Sequence, residues 1–220
     1  MLEIIFAGGA FGIAIMVAII ALSMTGCYLV IDHLLTIRRQ ELVPDALQAE
    51  LAEHFANGKV AAAEASCQEH PSFLSFIILQ GLAERDGGWP AIEKAFEDAL
   101  AEQAAALLRK IEYLAVIGNI APMLGLLGTV TGMILAFRQV AVSQGAAGAG
   151  DLAEGIYQAL VTTVAGLVVA IPSLGAYAIL RNRVDQLVAE ATYVIQHVTR
   201  PLRRRLAVAP PVRSAAPRNS

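Results

Sequence analysis

The chain has 220 residues, 56% of them hydrophobic and only 16% charged, where an ordinary soluble domain carries roughly a quarter charged residues. Its mean hydropathy is +0.59, which excludes an ordinary water-soluble globule and points to a membrane protein. The formal net charge is −3, and no basic face with interleaved aromatics appears, so nucleic acid is not expected as a partner.

The N-terminus, Met1-Leu2-Glu3, lacks a basic stretch, and the apolar run behind it is too long for the hydrophobic region of a signal peptide. It reads as a retained membrane helix. Three runs carry no charged residue: Ile4 to Ile31, Tyr113 to Phe137 and Gly155 to Leu180. Each exceeds the roughly 20 residues needed to cross a bilayer core. The expected layout is a stub at 1–8, a first span at 9–31, a helical cytoplasmic part at 32–112 and a second span at 113–140. An external loop at 141–154, a third span at 155–180, a cytoplasmic helix at 181–206 and a disordered tail at 207–220 complete it.

Orientation follows from the basic residues. Arg38, Arg39, Lys59, Arg85, Lys94, Arg109 and Lys110 lie between the first two spans, and Arg181, Arg183, Arg200, Arg203, Arg204 and Arg205 follow the third. The positive-inside rule then places the N-terminus outside and the C-terminus in the cytoplasm. Arg138, at the outer end of the second span, can reach headgroups or pair with Asp151 or Glu154. The Ser143–Gly150 stretch, rich in Gly and Ala, reads as a flexible loop.

The cytoplasmic part reads as helical throughout. Pro44 opens a helix with Leu47, Leu51 and Phe55 on one face, and Asn57-Gly58 closes it. An Ala-rich helix runs to Glu69, Pro71-Ser72 opens another through Leu82, and Gly87-Gly88 breaks the chain. From Pro90 the stripe of Ile92, Phe96, Leu100, Leu107 and Ile111 leads without a break into the second span. After the third span Val184, Leu187, Val188, Ala191, Ile195 and Val198 form a second stripe, ending near Pro201. Two continuous helices of about 45 residues, roughly 70 Å long, are therefore expected to extend into the cytoplasm. A lone copy would expose those stripes, which argues for a homo-oligomer. Cys27 and Cys67 lie in segments of different character and read as small apolar residues rather than as a disulfide or metal ligands.

The spans carry the chemistry. Gly118, Gly125 and Gly132 recur every seven residues, with Gly128 beside them, and Gly128–Gly132 is a GxxxG match. Gly155, Ala159, Gly166 and Ala170 repeat the pattern in the third span, and such small-residue faces let membrane helices pack closely. Thr129 and Thr163 share these faces; Gln158 and Thr162 stand one turn apart. These side chains either hydrogen-bond and pack or line a polar path, and spacing alone leaves both readings open. None of the three charge-free runs holds Asp, Glu, Lys, Arg or His, so a titrating group for proton movement would have to come from another polypeptide.

Ala121-Pro122-Met123-Leu124-Gly125-Leu126-Leu127-Gly128-Thr129-Val130-Thr131-Gly132-Met133-Ile134 resembles the second-span signature of the MotA/TolQ/ExbB proton-channel family. Gly155-Ile156-Tyr157-Gln158-Ala159-Leu160-Val161-Thr162-Thr163, continuing through Gly166-Leu167 to Ala170-Ile171-Pro172, resembles the third-span signature. The resemblance covers most of the chain, is weakest over Val43–Gly88 and is absent from the tail. It implies an all-α membrane protein of the bacterial inner membrane, a pentamer around a central pore. The pore would hold an ExbD/TolR-like single-span partner that supplies a membrane Asp, with a TonB/TolA-like periplasm-spanning protein as a further partner. It implies polar pore positions at Thr129 and Thr163, to which the reading of the residues adds Gln158 and Thr162 as candidate ion-path side chains, with packing at Pro122, Pro172 and the small residues above. No cofactor or metal is expected.

Two positions depart from the family pattern. Gln158 stands where ExbB and TolQ proteins commonly have Glu, and Tyr177-Ala178 stands where they have Tyr-Asn. A flagellar-stator-like or gliding-motor subunit is the near alternative, although stator chains usually have four spans; a non-conducting scaffold is the other. A membrane enzyme is not expected: Ser23 and Ser173 have no His or Lys beside them, and no pair of membrane carboxylates exists.

Overall fold

The computed structural model describes residues 9–142 and 149–208, and among them all regular structure is helical. In chain order the helices are α1 (Gly9–Thr36), α2 (Arg39–Leu42), α3 (Asp45–Asn57), α4 (Val60–Glu69), α5 (Phe73–Ala83), α6 (Trp89–Val142) and α7 (Ala149–Val208), with a 3-10 turn at Arg85–Gly87 before α6. The stub at 1–8, most of the Gly/Ala loop and nearly all of the tail lie outside the described residues, as does the side chain of Asp151. Three helices, α1, α6 and α7, are long and apolar enough to cross a membrane.

The chain divides into two compact units. The first comprises Met1–Thr36 and Leu108–Asn182. Here α1 runs antiparallel to α6: the His33 ring meets the Lys110 carbonyl, and Gly26 lies against Ile117 further along. The interior is small, formed by Ile15, Ile19, Leu114, Ile117, Ala121 and Ala159. The outside is apolar, with Met24, Met123, Leu126, Val168 and Ile171 all more than half exposed. A continuous apolar exterior of this kind belongs in lipid or against another protein.

The second unit comprises Ile37–Leu107 and Arg183–Ser220, and it has an ordinary globular core. Helix α5 lies at its centre, burying Phe73, Leu74, Ile77, Ile78 and Leu82. Its N-cap is Ser72, whose hydroxyl accepts from the Ser75 N–H at 3.1 Å. Leu47, Leu51 and Phe55 of α3 are buried as their spacing predicts. Gly58 ends α3 with φ +72°, a left-handed conformation that glycine adopts without strain. Arg39 donates to Asp45 at 3.0 Å and to Glu190 at 2.7 Å, tying α3 and α7 through exposed groups.

Several expectations need correction. Pro44 is the N-cap of α3 rather than part of its first turn. Helix α1 runs past Ile31 to Thr36, so Asp32 and His33 fall within a helix long enough to span. The loop expected over 141–154 is narrower, because α6 continues through Val142 and α7 is already helical at Ala149. Helix α7 does not stop near Pro201; it continues to Val208, held by the buried Leu202 and by Arg205, which donates to the Ala56 carbonyl at 2.6 Å. The long helices have 54 and 60 residues rather than about 45. Finally, the two apolar stripes are covered within one chain: Ile92, Ile111, Val184, Ala191 and Ile195 are all buried. Their apolarity therefore does not by itself demand a second copy.

Candidate functional site

The seam between α6 and α7 in the first unit follows from what glycine lacks. A Cβ on Gly125 would lie 2.8 Å from the Thr162 carbonyl oxygen and 2.9 Å from the Thr163 Cα. One on Gly128 would meet Thr162 Oγ1 at 2.3 Å, and one on Gly132 would meet the Ala159 Cβ at 2.8 Å. From the other side, Gly166 approaches the Ala121 carbonyl oxygen and Gly155 the Ala136 Cβ, at 2.5 and 2.7 Å from the positions a Cβ would occupy. Gly118 admits Leu174. Small residues on both helices thus bring the two backbones together, as in membrane helix pairs.

Hydroxyls occupy the same seam. Thr162 is buried; its Oγ1 lies 2.7 Å from the Ala159 carbonyl oxygen and 3.2 Å from that of Gly125. Thr163, half-buried, also donates to the Gly125 carbonyl, at 3.0 Å. Thr129 is buried and donates to Leu126 of its own helix at 2.8 Å. The structure therefore brings Thr162 and Thr163 together on one acceptor, with Thr129 one turn along α6. Gln158 is not joined to Thr162; its Nε2 donates to Glu154 at 2.9 Å along the same helix. Glu154 is thus engaged by Gln158, and Arg138 makes no ion pair among the described residues.

The prolines are placed differently from each other. Pro122 lies inside α6, half-buried, between seam residues Ala121 and Gly125. Lacking an N–H, it leaves the Gly118 carbonyl without its usual helical donor, a defect membrane helices tolerate. Pro172 is exposed and away from the α6–α7 seam; it lines an apolar groove with Val30, Leu34, Gly175 and Ile179. Near the end of this stretch, the Tyr177 hydroxyl accepts from Arg181 at 3.2 Å.

Sequence reasoning missed His33. Its side chain is buried, its Nε2 donates to the Lys110 carbonyl at 2.9 Å, and its Nδ1 lies 3.2 Å from the Asp32 carboxylate. It ties the end of α1 to α6. Its only signal was a His-Asp neighbour pair following an apolar run, which is equally the mark of a solvated helix end.

Comparison with known proteins places the chain among relatives. The family model described as the MotA/TolQ/ExbB proton channel family matches residues 69–192. The chain is 31% identical over 154 residues to biopolymer transport protein exbB1 of Vibrio cholerae, covering 68% of this chain and 60% of that protein. It is 30% identical over 147 residues to biopolymer transport protein ExbB of Salmonella typhimurium, covering 67% and 60%. It is also 34% identical over 103 residues to Tol-Pal system protein TolQ of Pseudomonas aeruginosa, covering 47% and 44%. The chain thus spans no more than about 60% of the length of these relatives. The matched region contains the Gly125–Thr163 seam and both signature segments. This multi-pass membrane chain belongs to the MotA/TolQ/ExbB proton channel family.

Proposed function

We propose that the chain is the ion-conducting subunit of an inner-membrane energy-transducing complex, of the ExbB/TolQ kind. Its N-terminus faces out, its second unit lies in the cytoplasm, and copies assemble into a ring, five by resemblance. A single-span partner carries a membrane carboxylate into that ring, and ion flow moves the partner against it to energise a process at the outer membrane. The observation that carries this reading is the family match centred on a seam that bears hydroxyls and no ionisable side chain. Thr129, Thr162 and Thr163 cluster about Gly125, while the apolar stretches of α6 and α7 between Tyr113 and Phe137 and between Gly155 and Leu180 hold no Asp, Glu, His, Lys or Arg. A hydroxyl is both donor and acceptor and can solvate a passing proton or cation. The acid that binds the proton is then supplied in trans.

The test is Thr163→Val, which keeps the shape and removes the hydroxyl. Loss of ion-driven function with an intact ring and a retained partner is the expected outcome; full function sinks the pathway. A packing-only reading has an observation of its own, since all three hydroxyls already donate to backbone carbonyls. Under it, any loss of function in Thr163→Val comes together with loss of assembly.

A further inference from the structure

Within the three apolar stretches, nearly every alkyl hydroxyl and amide is satisfied inside the chain. Thr25, Thr131 and Ser173 donate to carbonyls of their own helices; Thr129, Gln158, Thr162 and Thr163 have the partners described above. Two side chains differ. Asn119 of α6 and Ser23 of α1 are both exposed and have no hydrogen-bond partner among the described residues. A serine can turn its hydroxyl back onto its own helix. An asparagine amide carries two N–H donors and a carbonyl that its own helix cannot satisfy, and hydrocarbon offers nothing.

Asn119 stands in an apolar face, flanked one and two turns along by Met123 and Leu126, 69% and 60% exposed. Its depth can be read from the α1–α6 contacts. His33 meets Lys110, and seven residues back along α1, Gly26 meets Ile117, seven residues forward along α6. Two more steps bring Asn119 level with Met24, beside Ser23. In a ring closed about the membrane normal every copy sits at the same depth, so a group that must be satisfied by a neighbour meets residues of its own level.

We propose that Asn119 is an inter-subunit contact, its amide hydrogen-bonded to the Ser23 hydroxyl on α1 of a second copy of this chain. The α1 face bearing Ser23 and the α6 face bearing Asn119 are then the two complementary sides of a heterologous ring interface. The pairing satisfies both unpartnered groups at once, and it fixes the rotational register between subunits where apolar side chains alone would let helices slide. This rests on the homo-oligomer reading above and adds the surfaces that make it.

The experiment uses the full chain in membranes with Cys27 and Cys67 replaced by alanine. S23C and N119C are introduced singly, and the two single variants are co-expressed and oxidised. Because each chain then carries one cysteine, an S23C–N119C bond is necessarily between chains. A dimer band from the mixture, absent from either variant alone, is expected, together with a ladder of higher species when both substitutions share one chain. Native mass spectrometry of the solubilised protein is read in parallel. An oligomeric mass without the mixed cross-link overturns this interface and leaves the ring intact; a monomeric mass overturns both. As a check independent of cysteine chemistry, Asn119→Leu should lower the detergent-stable oligomer severalfold while Asn119→Ser retains it. Equal oligomer in the two variants counts against a hydrogen-bonding role, and a cross-link from N119C to a different polypeptide reassigns the face to that partner and overturns the proposal.

Discussion

The Thr163 hydroxyl donates across the α6–α7 seam to the Gly125 carbonyl oxygen, 3.0 Å away. The same oxygen lies 3.2 Å from Thr162 Oγ1. Two neighbouring side chains of one helix thus converge on a backbone atom of the other, and they can do so only because residue 125 has no side chain. Close packing and polarity at this site have one cause.

Gly125→Ala is therefore expected to destabilise the helix pair by about 1–3 kcal/mol, the usual cost of overpacking. The added Cβ would lie within 2.8–2.9 Å of backbone atoms that no rotamer change can move. Gly175→Ala is the matched control, since nothing lies within 4 Å of a Cβ there. It should be neutral or stabilising by up to about 1 kcal/mol through helix propensity. Thermal unfolding in detergent measures both; equal losses would show that the seam is not tightly packed.

In the second unit, Gly58→Ala meets two obstacles. The φ of +72° costs an alanine about 1–2 kcal/mol, and the new Cβ would fall 1.6 Å from Nη1 of Arg205. Arg205 can swing away, but it then gives up the Ala56 carbonyl. Adding Arg205→Ala should relieve the clash and leave the backbone strain. The double variant is expected to lose less than the sum of the singles in a double-mutant cycle, whereas strict additivity would mean that the two groups do not touch.

Cys67 is buried in α4, and its thiol is pushed up to about 11, by burial first and the Glu64 charge second. The thiol is favoured over the thiolate in the folded state. It should resist alkylation near pH 8, react faster as pH rises toward 11, and label rapidly once the chain is unfolded. The sign for stability follows: the contribution is complete below the ordinary thiol pKa near 9 and is lost as pH climbs through about 11. Rapid labelling of native protein at pH 8 would contradict the buried placement.

Gln158 and Glu154 form an amide–carboxylate pair one helical turn apart. Gln158→Glu turns it into two like charges and should cost about 0.2–0.5 kcal/mol by helical pair energetics. The exchange Glu154→Gln with Gln158→Glu restores one donor and one carboxylate and should recover that loss. Unfolding of the parent and the two variants in detergent decides this; a loss in the exchanged protein as large as in the single would place the cause elsewhere.

Much of the fold was legible because its signals are local. Apolar runs longer than a bilayer, the glycines at 118, 125 and 132, and Asn57-Gly58 each act within a turn or two of themselves. What escaped is what depends on distant partners. Pro201 reads as a helix stop, yet Leu202 and Arg205 beyond it are held by the core and by Ala56, nearly 150 residues away in sequence. The stripe from Ile92 to Ile111 reads as a surface awaiting another subunit, but its cover is intramolecular: a Cβ on Gly81 of α5 would lie 2.0 Å from the Phe96 ring. Periodicity reports that a face is covered and does not say by what. At the candidate site, the hydroxyls and small residues were visible in sequence, but that Thr162 and Thr163 share one acceptor was not, because it depends on the relative rotation of two helices.

The seam also constrains how this lineage can change. Where a carbonyl occupies the space a methyl group would fill, a larger residue on one helix requires the other to recede, and retreat breaks contacts along several turns. Neutral drift by single steps is closed at 125, 128 and 132. Among homologues, these positions and 159, 162 and 163 should vary together or remain fixed, while exposed neighbours such as Val168 and Ile171 exchange more freely.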